Sequence, residues 1–195
     1  MNFLGHLFLT PDDDELLLGN FIADSVKGDP FRKYPDGIAK GIMLHRSIDQ
    51  FTDRHPLVRR GVDRLRQTQG RYAPVVIDVI YDHILASEWD VYHTLALTEF
   101  AEKTYRKLEA MDHHFPPRVE QFFPYMKRQN WLVNYSSEWG LERSLMGLDR
   151  RVVHETEMHR SIEVFREFPE EFRSEFRQFI RDAQQEVSHH LSSGL

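Results

Sequence analysis

The chain has no cysteine among its 195 residues, so disulfides and thiolate metal sites are excluded. Any bound metal must be held by oxygen and nitrogen, from Asp, Glu and His. No run of about 18 apolar residues occurs, which predicts no membrane-spanning helix. The apolar start, Met1 to Thr10, lacks a basic leading region and a small-residue cleavage site, and acidic residues Asp12 to Glu15 follow it. That pattern reads against a signal peptide and for a cytoplasmic protein. There is no Walker-type phosphate loop, no dinucleotide fingerprint and no Gly-x-Ser-x-Gly elbow. Positive charge is in deficit: a net charge of −6 argues against a protein that coats nucleic acid. No internal repeat or low-complexity linker divides the chain, so a single domain, 1–195, is expected.

What is present describes a packed helical protein. Hydrophobic residues make up 41% and charged residues 29%, near ordinary globular values, which reads against global disorder. Apart from Pro116-Pro117, prolines and glycines occur singly, spaced like helix ends, and no period-2 strand pattern flanked by hairpin turns is found. The fold class expected is all-α, a single bundle of eight to nine helices. Pro11 and the acids after it open a helix running to about Lys27, with Gly28 and Pro30 ending it. Further helices are predicted over Asp36–Arg54, Leu57–Gln69, Pro74–Trp89, Leu95–Met111, Pro117–Lys127, Leu141–Leu148, Arg151–Glu167 and Glu170–Leu191. The aromatic stretch 130–140 fits a short helix or a packed loop. Phe165, Phe168, Phe172, Phe176 and Phe179, three or four apart, read as a core stripe.

Polar residues set into apolar faces mark the candidate chemistry. On the helix over 36–54, at about 100° per residue, Ile38, Gly41, Ile42, Leu44, Ile48 and Phe51 share one face. His45 and Asp49 fall inside that face, four apart, so their side chains project side by side. Burying both is costly unless they are paired or bound to metal. Taken alone, such a pair is more often structural. The next buried helix is apolar nearly all round yet carries Asp78, Asp82 and His83, and that raises the odds of a site. For Asp78 a capping or salt-bridging role is the commoner use. His6, in the apolar stretch Phe3 to Phe8, and Asn20 with Asp24, four apart, add candidates. An oxygen-and-nitrogen cluster of this kind suits Mn²⁺, Mg²⁺ or Fe²⁺, which would polarise a phosphoryl oxygen and acidify a bound water. His113, His114, His189 and His190 read as exposed.

One charge feature stands apart from the acidic whole: six arginines (54, 59, 60, 64, 66 and 71) against a single acid, Asp63, directly after the His45–Asp49 helix. A solvated helix face is the ordinary reading. The functional one is a dock for an acidic partner or a phosphate-bearing substrate.

The ordered set of short motifs resembles the acyl carrier protein phosphodiesterases, non-standard relatives of the HD-domain phosphohydrolases. It comprises Met1 to His6, Gly19-Asn20, Ala23-Asp24, Gly41-Ile42, His45-Arg46 with Ile48-Asp49, Thr52-Asp53, Ala73-Pro74, Asp78-Val79, Asp82-His83 and Gln129 with Trp131 to Val133. The resemblance is dense in the N-terminal half and sparse beyond. It implies an HD-like helical fold, and Mn²⁺-dependent hydrolysis of the phosphodiester that joins 4′-phosphopantetheine to a carrier serine. Carried over by position, it implies metal ligation by His6, Asp24, His45, Asp49, Asp82 and His83. Catalytic roles fall to Asp24, Arg46, Asp82 and His83, with Arg46 as a phosphate clamp. Asn20 and Asp53 would orient ligands or substrate. The chain departs from the ordinary HD pattern, since its adjacent pair is reversed, Asp82-His83, and His45 is followed by Arg46. With an acidic carrier as partner, Arg60 and Arg64 become candidate docking residues. Two other readings stand beside this one: an HD-like hydrolase of a nucleotide or other small phosphoester, and a non-catalytic helical module that binds an acidic partner.

Overall fold

The computed structural model describes residues 1–154 and 156–193. Among the described residues there is no strand, so the fold is all-α, built from twelve α-helical segments joined by short 3₁₀ turns. No helix among them is long and apolar enough to cross a membrane.

The central element is α5 (Ala73–Ser87), opened by Pro74 in its first turn. Eleven of its residues are buried, including Asp82 and His83. Around it pack α1 (Phe3–Leu9), α4 (Pro56–Gln69), α10 (Glu138–Asp149) and α12 (Pro169–Ser192). Phe172, Phe176 and Phe179 of α12 are wholly buried, as their three-and-four spacing predicts.

The site depends on the tight crossing of α2 (Asp14–Ile22) and α3 (Asp36–Arg54). Glycine meets glycine there: a Cβ on Gly19 would run into the Ile38 carbonyl and stand 2.8 Å from Gly41 Cα, and one on Gly41 would meet the Leu16 carbonyl. Asp13 caps α2, its side chain accepting from the Leu16 amide.

The expected helix over 11–27 is shorter in the structure. α2 ends at Ile22, and a 3₁₀ turn over Ala23–Ser25 carries Asp24. The predicted helix over 151–167 also contracts, to α11 (Ser161–Glu167). Asp149 is the reason: its carboxylate accepts from the Thr156 hydroxyl, the Met158 and His159 amides and the His159 ring, holding the preceding stretch as a loop. Glu155 of that expected helix, and positions 194–195 of the expected domain, lie outside the described residues. Single turns α6 (Trp89–Tyr92) and α9 (Trp131–Asn134) fill corners between α5, α7 (Leu97–Ala110) and α8 (Pro117–Arg128).

Candidate metal centre

Four of the residues singled out by sequence meet at one place. His6 comes from α1, Asp24 from the 3₁₀ turn after α2, and His45 and Asp49 from one face of α3. His45 Nε2 lies 3.3 Å from Asp24 and 3.2 Å from Asp49, and His6 Nε2 lies 3.1 Å from the other Asp49 oxygen. The two imidazoles stack, centroids 3.9 Å apart and planes 13° from parallel. Close as it is to Asp49, His6 Nε2 lacks hydrogen-bond alignment, and both its ring nitrogens are buried without a partner. A bound ion or water is among the usual partners of such buried orphans. One donor atom each from His6, His45 and Asp49 lies within 4.8 Å of the others, so the set fits a divalent ion.

Asn20 orients His45. It is fully buried, and both its main-chain and side-chain oxygens lie 2.9 Å from His45 Nδ1. Those oxygens can only accept, so Nδ1 carries a hydrogen, and Nε2, which faces the carboxylates, is the nitrogen left bare whenever the ring is neutral. The Asn20 amide nitrogen donates to the His6 carbonyl and the Thr10 hydroxyl, which fixes α1 against α2. The glycine crossing makes this approach of Asn20 to His45 possible.

The electrostatics follow from the crowding. Burial lowers the pKa of His6 to about 4, helped by the neighbouring His45 charge. Burial also opposes charge on His45, but the Asp24 and Asp49 carboxylates outweigh it and raise the pKa to about 9. Asp24 is held below the usual carboxylate range by His45; Asp49 is too, because His45 and His6 overcome its burial. One imidazolium thus sits between two carboxylates, occupying the place of a cation.

The remaining expected site residues lie elsewhere or act through others. Asp82 is aimed at the start of α1, accepting from the amides of Asn2 (3.2 Å), Leu4 (2.8 Å) and Gly5 (3.0 Å). His83 turns the opposite way: its Nδ1 donates to the Tyr135 carbonyl at 2.7 Å, and its ring sits edge-on to Phe165. Neither stands among the clustered donor atoms. Their adjacency in sequence splays them about 100° apart on one helix. Arg46 donates to the Val26 and Gly28 carbonyls, bracing the chain just after Asp24, so its fork is engaged with backbone in this structure. Asp53 is exposed on α3, one turn beyond Asp49, beside a cleft it shares with Asp78. Arg64 is tied to α12: it grips Glu175 with two bonds of 2.9 and 3.0 Å and lies over the Phe172 ring. Arg60 remains exposed on α4. Sequence reasoning overlooked Tyr135, whose hydroxyl accepts from Asn2 and whose carbonyl holds His83. An isolated Tyr in an aromatic stretch carries no signal of that use.

A family model described as acyl carrier protein phosphodiesterase matches residues 1–183, which include every member of the cluster. The chain belongs to the acyl carrier protein phosphodiesterase family. Among proteins bearing that name it is similar to one from Photorhabdus laumondii, 36% identical over 152 residues and 77% of each chain. It is 35% identical to one from Yersinia pestis and 34% to one from Enterobacter sp. strain 638, each over 77% of this chain and 79% of the relative. No solved structure matches the chain.

Proposed function

We propose that the chain hydrolyses the phosphodiester linking 4′-phosphopantetheine to a serine of acyl carrier protein, releasing the apo carrier. Manganese is the preferred ion, with magnesium or iron(II) as substitutes. The observation that carries this reading is the convergence of His6, Asp24, His45 and Asp49 in a shallow site open on its acidic side. Asp24 and Asp49 side chains are 76% and 46% exposed, while the enclosed space beside His6, Asp24 and His45 is only about 20 Å³. A usual small-molecule pocket encloses about 300 Å³ or more, so the site offers a small ligand little enclosure. It suits a phosphodiester presented from outside on a large substrate, which favours the carrier over a small phosphoester. The family's printed name agrees with that choice.

His6, His45, Asp49 and Asp24 would hold the ion. When bound, a divalent ion supplies Lewis acidity to a phosphoryl oxygen and acidifies a coordinated water. The protein's own contribution is arrangement. Asn20 keeps His45 in the tautomer that offers Nε2. Asp82 fixes the first turn of α1, and with it His6. Asp24 stands at the solvent edge, in place to accept a proton from the attacking water. Water oxygen bonds to phosphorus, the bond from phosphorus to the serine oxygen breaks, and that oxygen takes up a proton.

The test is incubation of holo carrier with the protein and Mn²⁺, following loss of phosphopantetheine by mass spectrometry. Wild type should yield apo carrier, while His45→Ala and Asp24→Ala should lose at least a hundredfold in kcat. Wild-type protein that binds Mn²⁺ but leaves the holo carrier intact sinks the reading.

A further inference from the structure

One helix face outside the site is built like a binding surface. On α10, Trp139, Arg143 and Met146 recur at four- and three-residue steps, and Arg150, the C-cap, continues the stripe four residues on. All four are exposed, Trp139 at 57% and Met146 at 37%. The Arg143 guanidinium lies 4.8 Å from the Trp139 ring centre, so the stripe is held as a stacked, rigid edge. Arg143, Arg150 and Arg151 also line one cleft of about 190 Å³, together with Asn2 and Phe3. Asn2 and Phe3 line the space beside His6, Asp24 and His45 as well, so surface and site are contiguous.

The arginines are available for a partner. Among the described residues, none of the three makes a salt bridge or side-chain hydrogen bond, whereas Arg64, Arg166, Arg173 and Arg177 are all paired. Glu138, which begins α10, is taken by Arg166, and Glu142 adds its field to that pair. A Cβ on Gly147 would meet nothing, leaving the cleft open between Arg143 and Arg150. The cleft is smaller than a usual small-molecule pocket of about 300 Å³, and the exposed Trp139, Arg143 and Met146 of the adjoining helix face are residue types enriched in protein interfaces. On a chain of net charge −6, three unpaired arginines interleaved with apolar side chains select an acidic protein over a polyanionic nucleic acid.

We infer that the α10 face, Trp139, Arg143, Met146, Arg150 and Arg151, docks the acidic carrier and presents its prosthetic group to the His6–His45 site. This rests on the proposed function for the identity of the carrier. It displaces Arg64 from that role, since Arg64 already holds Glu175.

The experiment measures binding of fluorescently labelled holo carrier by anisotropy at low salt, alongside phosphopantetheine release. Wild type is compared with Arg143→Glu/Arg150→Glu and with the neutral pair Arg143→Gln/Arg150→Gln. The reversed pair should raise Kd and KM at least tenfold, the neutral pair by less, and both differences should shrink in high salt. Turnover at saturating carrier should hold within about threefold. Binding by the wild type without phosphopantetheine release would overturn the proposed reaction and leave the docking surface standing. The docking surface is overturned if wild type binds no carrier, if the reversed pair binds within twofold of wild type, or if mass in solution shows that it has dissociated a dimer whose loss explains the change.

Discussion

At His45 the two ring nitrogens have separate tasks, Nδ1 donating to Asn20 and Nε2 facing two carboxylates, and that division governs its response to pH. A folded-state pKa of about 9 against an ordinary 6.5 means that its proton stabilises the metal-free fold fully below 6.5. The contribution is lost as pH rises through about 9. A divalent ion competes for the same Nε2, so metal uptake should release a proton and apparent affinity should rise between pH 6.5 and 9. Calorimetry in buffers of differing ionisation enthalpy reads that proton directly; an affinity flat across the window contradicts the assignment. Asp82 makes the opposite use of its carboxylate. Burial pushes it up to about 7, while the N-terminal ammonium and the Leu4 and Gly5 amides pull it down. Because its oxygens accept from three amides, Asp82→Asn should lower stability by roughly 1–3 kcal/mol while Mn²⁺ stoichiometry is kept. Loss of metal at unchanged melting temperature would restore Asp82 as a ligand. The spacing of His45 and Asp49 made their partnership legible in sequence, since an i, i+4 pair inside an apolar face has few other uses. The orientation of Asp82 was not legible, because a buried carboxylate looks alike in sequence whether it meets a metal or backbone amides 77 residues away.

Between elements, the glycine-on-glycine crossing of α2 and α3 sets the geometry that the residues exploit. Gly41 stands one turn before His45, and Gly19 immediately precedes Asn20, so any widening of the crossing withdraws Asn20 from His45. Gly41→Ala forces a methyl against the Leu16 carbonyl, backbone that cannot rotate away. The expected cost is about 1–3 kcal/mol of stability from overpacking. Metal affinity should also fall by about tenfold or more as Nδ1 loses its acceptors. A thermal melt and a Mn²⁺ titration on the same sample check both, and an unaltered affinity would argue against the crossing as the positioning device. Most elements were readable from periodicity and breakers: α3, α4, α5, α8 and α12 begin and end within about two residues of where proline and apolar spacing place them. The stretch before Ser161 was not, because tertiary hydrogen bonds to Asp149 override its local propensity there.

For the molecule as a whole, α12 acts as the closing strap, laid across α3, α4 and α5 by its phenylalanine stripe. Two sets of ion pairs fasten it. Glu88 at the end of α5 receives Arg173 and Arg177, and Arg64 of α4 receives Glu175. The arginine run that looked like a docking face in sequence is thereby partly turned inward. Charge counts along a chain cannot tell a solvated arginine from one paired 111 residues away. Side chains 18% and 10% exposed, joined by two parallel bonds and stacked on Phe172, form a stronger pair than an ordinary surface bridge. A double-mutant cycle on Arg64→Ala and Glu175→Ala should return a coupling of about 1 kcal/mol or more, persisting in salt that screens exposed pairs. Because the pair fastens a helix and occupies the Arg64 guanidinium, Arg64→Ala should lower the melting temperature yet leave KM for the carrier within twofold. A tenfold rise in KM at unchanged stability would return the docking role to α4, and with it the expectation drawn from sequence.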